Sequence, residues 1–500
     1  MATNTSIQEN NGVNDQTIHS VRSTIYDKDE QITNTRSIQS SLYEENVVNI
    51  NPSKLSEKKS HSSATHEDCE SIRSRTIHGT EEDEKQSNVD GGYGWLIVIG
   101  AFLVQITSYG VTTAWGNVVG KSKSRVMQDY YEQNVFGDKV PNAPVQLSFV
   151  GTFCLIFSNI MGPVTQIVQS MIGTRAVLLL GTLFVSVGTI MAGFSTEVGS
   201  DLAFVLDTGD LLWNWSQFDT IMAVAPQYFD KRRGFALGLI ASGSGIGGLI
   251  MPFIMTPINK SLGGGWTYRI VGFICLGCDL VACILVKDRI PRPRIRKKLG
   301  DIIQFSVFRD SKFRIWCLGA TMQMVGYFIP FFFVPSHATY LGLSAQQGST
   351  MIAVSCAMNF VGRIVCGYLA DKLGTINTNI VYLIIASLAN FLIWTFAYTY
   401  GTLVAFMAVF GFACGSYFAL VSPITAFICG MEKFPTGLSM VLISNVVAVF
   451  GPNIASAIES GVSSERFFSY KMFAGVAYIL SALIMISLKF SVNRKIFKKV

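Results

Sequence analysis

The feature that most constrains this chain is a succession of apolar windows of about 20 residues, the length of helix that crosses a bilayer core. Twelve such windows fall at 94–118, 146–170, 176–195, 201–226, 235–257, 266–286, 313–335, 346–369, 378–398, 401–428, 437–458 and 471–489. Lipid admits only helices or closed barrels, because every backbone N–H and C=O must find its partner inside the structure. Windows of this length suit helices, so the chain is predicted to be an all-α polytopic membrane protein with twelve transmembrane helices. Its charged fraction of 14% agrees, since soluble chains carry about 25%.

An even number of spans puts both termini on one side, and basic residues in short loops choose which. With the termini cytosolic, the inner loops and C-terminal tail hold 20 Lys and Arg and the outer loops 7. Ten of the inner ones lie across 287–314, in "KDRIPRPRIRKKLGDIIQFSVFRDSKFR". Set between two apolar spans, this run reads as a topology determinant that meets anionic membrane lipid, not as a nucleic-acid patch. The expected organisation is a cytosolic tail (1–89), a six-helix half (90–286), a basic linker (287–312), a second six-helix half (313–490) and a basic tail (491–500). Residues 1–89 carry 9 basic and 15 acidic side chains with almost no apolar periodicity, and are predicted to be disordered.

Several function classes drop out. Nine of the ten cysteines lie in apolar runs and Cys69 stands alone in the tail, so neither zinc nor a disulfide framework is indicated. No nucleophile–base pair, carboxylate–histidine cluster or phosphate loop is visible, so no enzyme and no cofactor is expected.

The two halves predict an internal repeat. "MGPVTQIVQSMIGTR" after the second window and "VGRIVCGYLADKLGT" after the eighth each carry a glycine (Gly162, Gly362) and a second at the following turn (Gly173, Gly374). In the second copy, Gly367, Asp371, Lys372 and Gly374 resemble the G-x-x-x-D-[RK]-x-G loop of the major facilitator superfamily, which implies the major facilitator fold and a latch of the inside-closed state. The first span opens on "DGGYGW", with Asp90, Gly91, Gly92 and Trp95; the fifth opens on "YFDKRRGFALGLIASGSGIGG", with Tyr228, Phe229, Lys231 and Arg232. Together these are similar to the signatures of the monocarboxylate transporter family, over residues 90 to about 490, and "PFFFVPSHATYLGLS" looks like its fungal branch. The residues also have a local reading. Trp95 and Tyr93 suit an interfacial anchor, the basic triplet suits the inner side, and Gly238, Ser242, Gly245 and Gly248 form a smooth helix face.

The resemblance implies a carrier of a small organic solute that rocks its halves about a midplane site, with a coupled proton as a candidate second partner. A non-transporting sensor, or an inactive carrier, would share the architecture. Charges deep in a span mark functional sites by default, and Arg363 is the leading candidate. It lies eight residues before Asp371, about 12 Å along the helix, with Asn359 one turn earlier on the same face. In the animal lactate carriers these two positions resemble an arginine that binds the carboxylate and an aspartate that handles the proton. Here the acid is an amide, and the family's first-helix lysine falls at Thr113. Arg363 retains the means to grip an anion, while fungal relatives are linked to other organic solutes, vitamins among them. Tyr109, Thr113, Gln323, Tyr417 and Asn445 complete the substrate-facing candidates, and His337 is a weaker proton candidate, expected in a loop.

One window breaks the pattern. "VLDTGDLLWNWSQFD" places Asp207, Asp210 and Asp219 where a span is required, at about 2.5–3.5 kcal/mol for each central Asp. At 100° per residue Asp207 and Asp210 share a face, while Asp219 points away from Asp210. Asp207 and Asp210 are a possible ion site; a distorted but tolerated helix, or a stretch produced by compensating frameshifts, are the other readings. "NVVGKSKSR" at 117–125 looks inserted and puts three basic residues on the outer side.

Tags fused to the two termini of the full chain are expected on the same, cytosolic face in a protease-protection assay; tags on opposite faces would contradict an even number of spans.

Overall fold

The computed structural model describes residues 90–115, 143–194, 217–218, 220–289, 305–461 and 466–493. Among these there are helices and turns and no strand. The helices are α1 (Tyr93–Trp115), α2 (Ala143–Ile172), α3 (Thr174–Ala192), the end of α4 (220–224), α5 (233–262), α6 (264–285), α7 (Ser311–Tyr340) and α8 (Ala345–Leu373). They continue with α9 (Thr375–Leu388, prolonged by a π-helical turn Ala389–Trp394), α10 (400–429), α11 (431–461) and α12 (Phe468–Val492). α5 and α6 run on without a loop, and the chain turns at Gly263, whose φ is 79°; α10 and α11 turn likewise at Gly430, with φ 73°. The helices start earlier and mostly end later than the apolar windows, because hydropathy sees only the part that lies in hydrocarbon.

Outward-facing side chains include Phe253, Phe273, Ile284, Leu392 and Phe396, all largely exposed. An apolar exterior around a helical bundle is what lipid requires. The repeat read from the sequence recurs in the backbone. Gly173 joins α2 to α3 at φ 88°, and Gly374 joins α8 to α9 at φ 98°. Both conformations favour glycine over any side chain. His337 departs from expectation: it lies inside α7 and is buried, with its Nδ1 accepting a hydrogen bond from Trp394 Nε1 at 3.2 Å. Aromatic neighbours prolong α7 past its apolar window and carry the histidine into the bundle.

Between-helix contacts rest on glycine. On α5, Gly238 and Gly245 face α8: a Cβ on Gly238 would meet the Arg363 carbonyl oxygen at 2.6 Å, and one on Gly245 the Phe360 nitrogen at 2.8 Å. Gly243 and Gly247 face α1 in the same way, against the carbonyl oxygens of Phe102 and Ile106. So α5 has two glycine faces, one for each neighbour. Close backbone approach of this kind is how helices associate where no hydrophobic effect drives them together.

The end of the bundle that holds residues 228–235, 286–289 and 371–374, here the linker end, is where the sequence motifs meet. The Asp90 carboxylate accepts from the backbone N–H of Asp230 (2.8 Å), Lys231 (3.0 Å) and Arg232 (3.0 Å), just ahead of α5. Trp95 packs edge-on against Phe229, with ring centroids 5.1 Å apart, and the hydroxyls of Tyr93 and Tyr228 donate to the carbonyls of Leu285 and Lys287. The two signature motifs, far apart in sequence, are one joint. Gly92 begins α1 at φ 57°; nothing in the structure explains a glycine at 91, where a Cβ would meet open space. Partial burial works to raise the Asp90 pKa, but the three N–H donors and Lys231 outweigh it and hold the carboxyl below its ordinary value.

From the other half, Asp371 caps the same helix: its two oxygens accept from Gly234 N at 2.7 Å and Phe235 N at 2.8 Å. Gly367 brings α8 against Gly234 and Gly238, while Lys372 lies over the Tyr368 ring at 4.5 Å. A second seam joins α2 to α11, where Gln166 Nε2 donates to Ser439 Oγ at 2.6 Å and to the Pro435 carbonyl at 2.5 Å. A third joins α10 to α4 through Ser422 Oγ and the Met222 carbonyl, 3.1 Å apart. The linker end is closed.

Two substitutions probe this packing. Gly362→Val drives a side chain into the Phe412 carbonyl and is expected to lower the melting temperature by several degrees, since overpacking costs about 1–3 kcal/mol. Gly277→Val, where a Cβ meets nothing within 4 Å, is expected to be neutral; equal melting shifts would contradict the packing. Asp371→Asn weakens two charge-assisted bonds, so amide exchange at Gly234 and Phe235 is expected to accelerate about tenfold. Unchanged exchange would show that the latch holds nothing.

Candidate functional site

α8 is set by a reciprocal cap, in which Ser344 and Gln347 satisfy each other's backbone N–H. Its face towards the seam carries Asn359 and Arg363, one turn apart and both buried. Opposite them, α10 interrupts its regular helix at Gly415, between Cys414 and Ser416. The Arg363 guanidinium crosses the seam to α5. Its Nη1 donates to the Ala241 carbonyl at 2.7 Å and also to Ser244 Oγ. Its carbon lies 4.6 Å from the centre of the Phe418 ring, against which Tyr327 packs edge-on.

These contacts leave Arg363 incompletely satisfied. Its Nε has no hydrogen-bond partner, nor has Asn359 Oδ1, whose amide nitrogen donates to Cys414 Sγ at 3.2 Å. Both orphan atoms face one place, since a Cβ on Gly415 would lie 2.8 Å from each. Only glycine fits there, so α10 packs directly against a donor and an acceptor that both lack partners. Among the described residues no carboxylate neutralises the arginine; the ion pair found there is Arg233 with Asp230, at 3.7 Å. A cation–π contact contributes about 0.5–2 kcal/mol and a charged hydrogen bond about 1.5–3. The penalty for a buried, unpaired charge is several kcal/mol. An anionic or carboxyl-like group reaching Arg363 would supply what is missing.

The other candidates divide. Gln323, Asn379 and Ser416 close a ring of hydrogen bonds: Gln323 Nε2 donates to Ser416 Oγ (2.8 Å), Ser416 Oγ to Asn379 Oδ1 (3.0 Å), and Asn379 Nδ2 to Gln323 Oε1 (3.3 Å). Asn445 donates to the Tyr417 hydroxyl, and Thr321 reaches Asn445 Oδ1 at 3.5 Å. Gln323, Tyr417 and Asn445 therefore satisfy neighbouring helices. The side chains of Tyr109 and Thr113 lie outside the described part of the structure, as do Asp207 and Asp210. Asp90, Trp95, Tyr228, Phe229, Asp371 and the glycines beside them build the linker-end joint and latch, with the backbone of Lys231 and Arg232. Sequence reading missed Gly415, Phe418 and Ser244. The Ser244 signal lay within a motif read for its aromatic–basic opening and its smooth Gly and Ser242 face; nothing local marks the other two.

Residues 97–452 match the Major Facilitator Superfamily. An MFS-type transporter of Gibberella moniliformis is 29% identical over 407 residues, covering 79% of this chain and 91% of its own. The fujikurins efflux protein of Gibberella fujikuroi is 26% identical over 402 residues, 79% of this chain and 83% of its own. Among solved structures, the proton:xylose symporter XylE superposes with a TM-score of 0.63 at 15% identity, covering 79% of this chain and 95% of that one. At that identity the likeness concerns the fold. With its helical bundle, apolar exterior and superfamily match, this chain is a multi-pass membrane protein that belongs to the Major Facilitator Superfamily, a family of transporters and not of enzymes.

Proposed function

We propose that this chain carries a small organic solute with a carboxyl or carboxyl-like head across the membrane by alternating access, Arg363 and Asn359 being the residues that hold that head. The observation behind the reading is the pair of atoms packed against Gly415, Arg363 Nε and Asn359 Oδ1, which are buried without partners and which no described carboxylate compensates. A carboxylate takes the Nε–H, and a neighbouring hydroxyl or acid proton suits the amide oxygen. Phe418 and Tyr327 beside the guanidinium favour a planar, unsaturated body behind the head. The monocarboxylate-like assignment rests on the same residues. In the closed linker-end state Arg363 also ties α8 to α5, so a solute that draws it away from Ala241 and Ser244 loosens the seam as it binds. Binding and rearrangement then share one side chain.

Export is the favoured direction, since two of the relatives bear the name of an efflux protein. The linker end is taken as cytosolic because the basic loops gather there, and the plasma membrane is favoured over the vacuolar one. A half-to-half lock without a ligand role is the alternative for Arg363.

Efflux of isotope-labelled planar and aliphatic monocarboxylates from cells lacking related carriers tests the reading. At least one is expected to leave about tenfold faster than from control cells, and Arg363→Ala and Arg363→Lys to abolish the gain, lysine having no planar fork. No flux of any of them at normal surface expression, or flux indifferent to both substitutions, would overturn it.

A further inference from the structure

Among the described residues, one carboxylate lies in the interior of a transmembrane helix: Asp279 on α6, in "LGCDLVACIL". It is 1% exposed. Thr107 Oγ1 of α1 lies 2.8 Å from its Oδ1, and Gln217, just ahead of the described end of α4, is also within hydrogen-bonding reach of the carboxyl. Among the described residues no cation pairs with it. α1 carries no charged residue, α5 carries Arg233 and Lys260 near its two ends, Arg175 at the start of α3 donates to the Val286 carbonyl, and α6 carries Arg269, which donates to the Gly193 carbonyl, and the thiols Cys275, Cys278 and Cys283. Cys283 contacts Thr182 of α3.

Two atoms in this cluster are left over. Asp279 Oδ2 and Gln217 Oε1 are both buried without a hydrogen-bond partner. The amide nitrogen of Gln217 is turned to Thr182 Oγ1, at 3.3 Å, and Thr182 in turn donates to the Leu178 carbonyl. Neither oxygen has a donor among the described residues. One proton on Asp279 turns an oxygen that only accepts into a group that can itself donate. A neutral acid also escapes the penalty of an ionised carboxylate without a counter-charge.

The same elements lead to the moving seams. Met222, five residues beyond Gln217, meets Ser422 of the second half through its carbonyl, and α1 packs on α5, which Asp371 latches to α8. Parting of the halves therefore pulls on both helices that enclose Asp279.

We propose that Asp279 is a proton-binding site of the carrier, protonated while the linker end is closed and releasing its proton when α1 and α4 shift with the opening halves. As a coupling site it rests on the transport reading above; as a proton site it does not. The class of partner is a solute moved together with, or in exchange for, one proton.

Infrared spectroscopy of the full chain in lipid nanodiscs, titrated in pH without any solute, tests it. The protonated-acid C=O band is expected at neutral pH in the wild type, to be absent in Asp279→Asn and to remain in Asp279→Glu. In Asp371→Asn, which loosens the latch, its midpoint is expected to fall by about one pH unit, a tenfold weaker hold on the proton. A band that survives in Asp279→Asn, no acid band at neutral pH in the wild type, or a midpoint indifferent to Asp371→Asn would overturn the proposal. Should Asp279→Asn not fold, the wild-type band and its response to Asp371→Asn decide alone. Since no solute is present, a chain that shows this band yet moves no monocarboxylate keeps the proton site and loses the transport reading, and the converse result separates them as cleanly.

Discussion

A guanidinium stays charged at every physiological pH, so Arg363 imposes a demand that no proton can remove. Its surroundings meet that demand in part. The Ala241 carbonyl, Ser244 Oγ and the Phe418 face provide a dipole, a lone pair and a π cloud, while Nε stays without a partner. In a soluble protein a carboxylate would normally complete such a site. Here the position one turn away holds Asn359, which offers an amide oxygen and no charge. The arrangement leaves the bundle with a fixed positive site at its seam, and the account of solute binding follows from that residual need.

The second organising element is the start of α5. A helix N-terminus presents unpaired N–H groups and a partial positive charge, and here two carboxylates answer it from opposite sides. Asp90 belongs to the same half and covers residues 230–232; Asp371 belongs to the other and covers Gly234 and Phe235. When the halves part, the Asp90 set can persist while the Asp371 set breaks. The terminus is never stripped of all its acceptors, so the rearrangement exposes two N–H groups instead of five. The glycine faces of α5 serve the same end, because smooth backbones at Gly238 and Gly367 slide with little repacking. Arg363, two turns deeper on the α5–α8 seam, senses whether that seam is shut.

Much of this was legible in the sequence. Outside the fourth window, most of which lies beyond the described residues, hydropathy located the helices within a few residues, because lipid leaves the backbone so little choice. The paired glycines at 173 and 374 were readable as turns, and Arg363 stood out because an arginine deep in an apolar run needs a reason. What stayed hidden was relational. Nothing local says that "DGGYGW" and "YFDKRR" close into one joint, or that Gln323 spends its amide on Ser416 and Asn379. Gly415 matters only because it stands across from two orphan atoms on another helix. Asp279 passed unnoticed for a different reason: a single acid in a strongly apolar run barely moves an average, whereas the three acids of 207–219 drew attention by number.

The central claim is that Arg363 receives the acidic head of a solute, and direct binding tests it more closely than flux. The decisive measurement is the thermal stability of the purified, full-length protein against a series of monocarboxylic acids and their methyl esters, in the wild type and in Arg363→Ala. The account predicts that at least one acid raises the melting temperature, that its ester does not, and that Arg363→Ala erases the difference. Acid and ester acting alike, or an acid effect that survives the loss of Arg363, would contradict it.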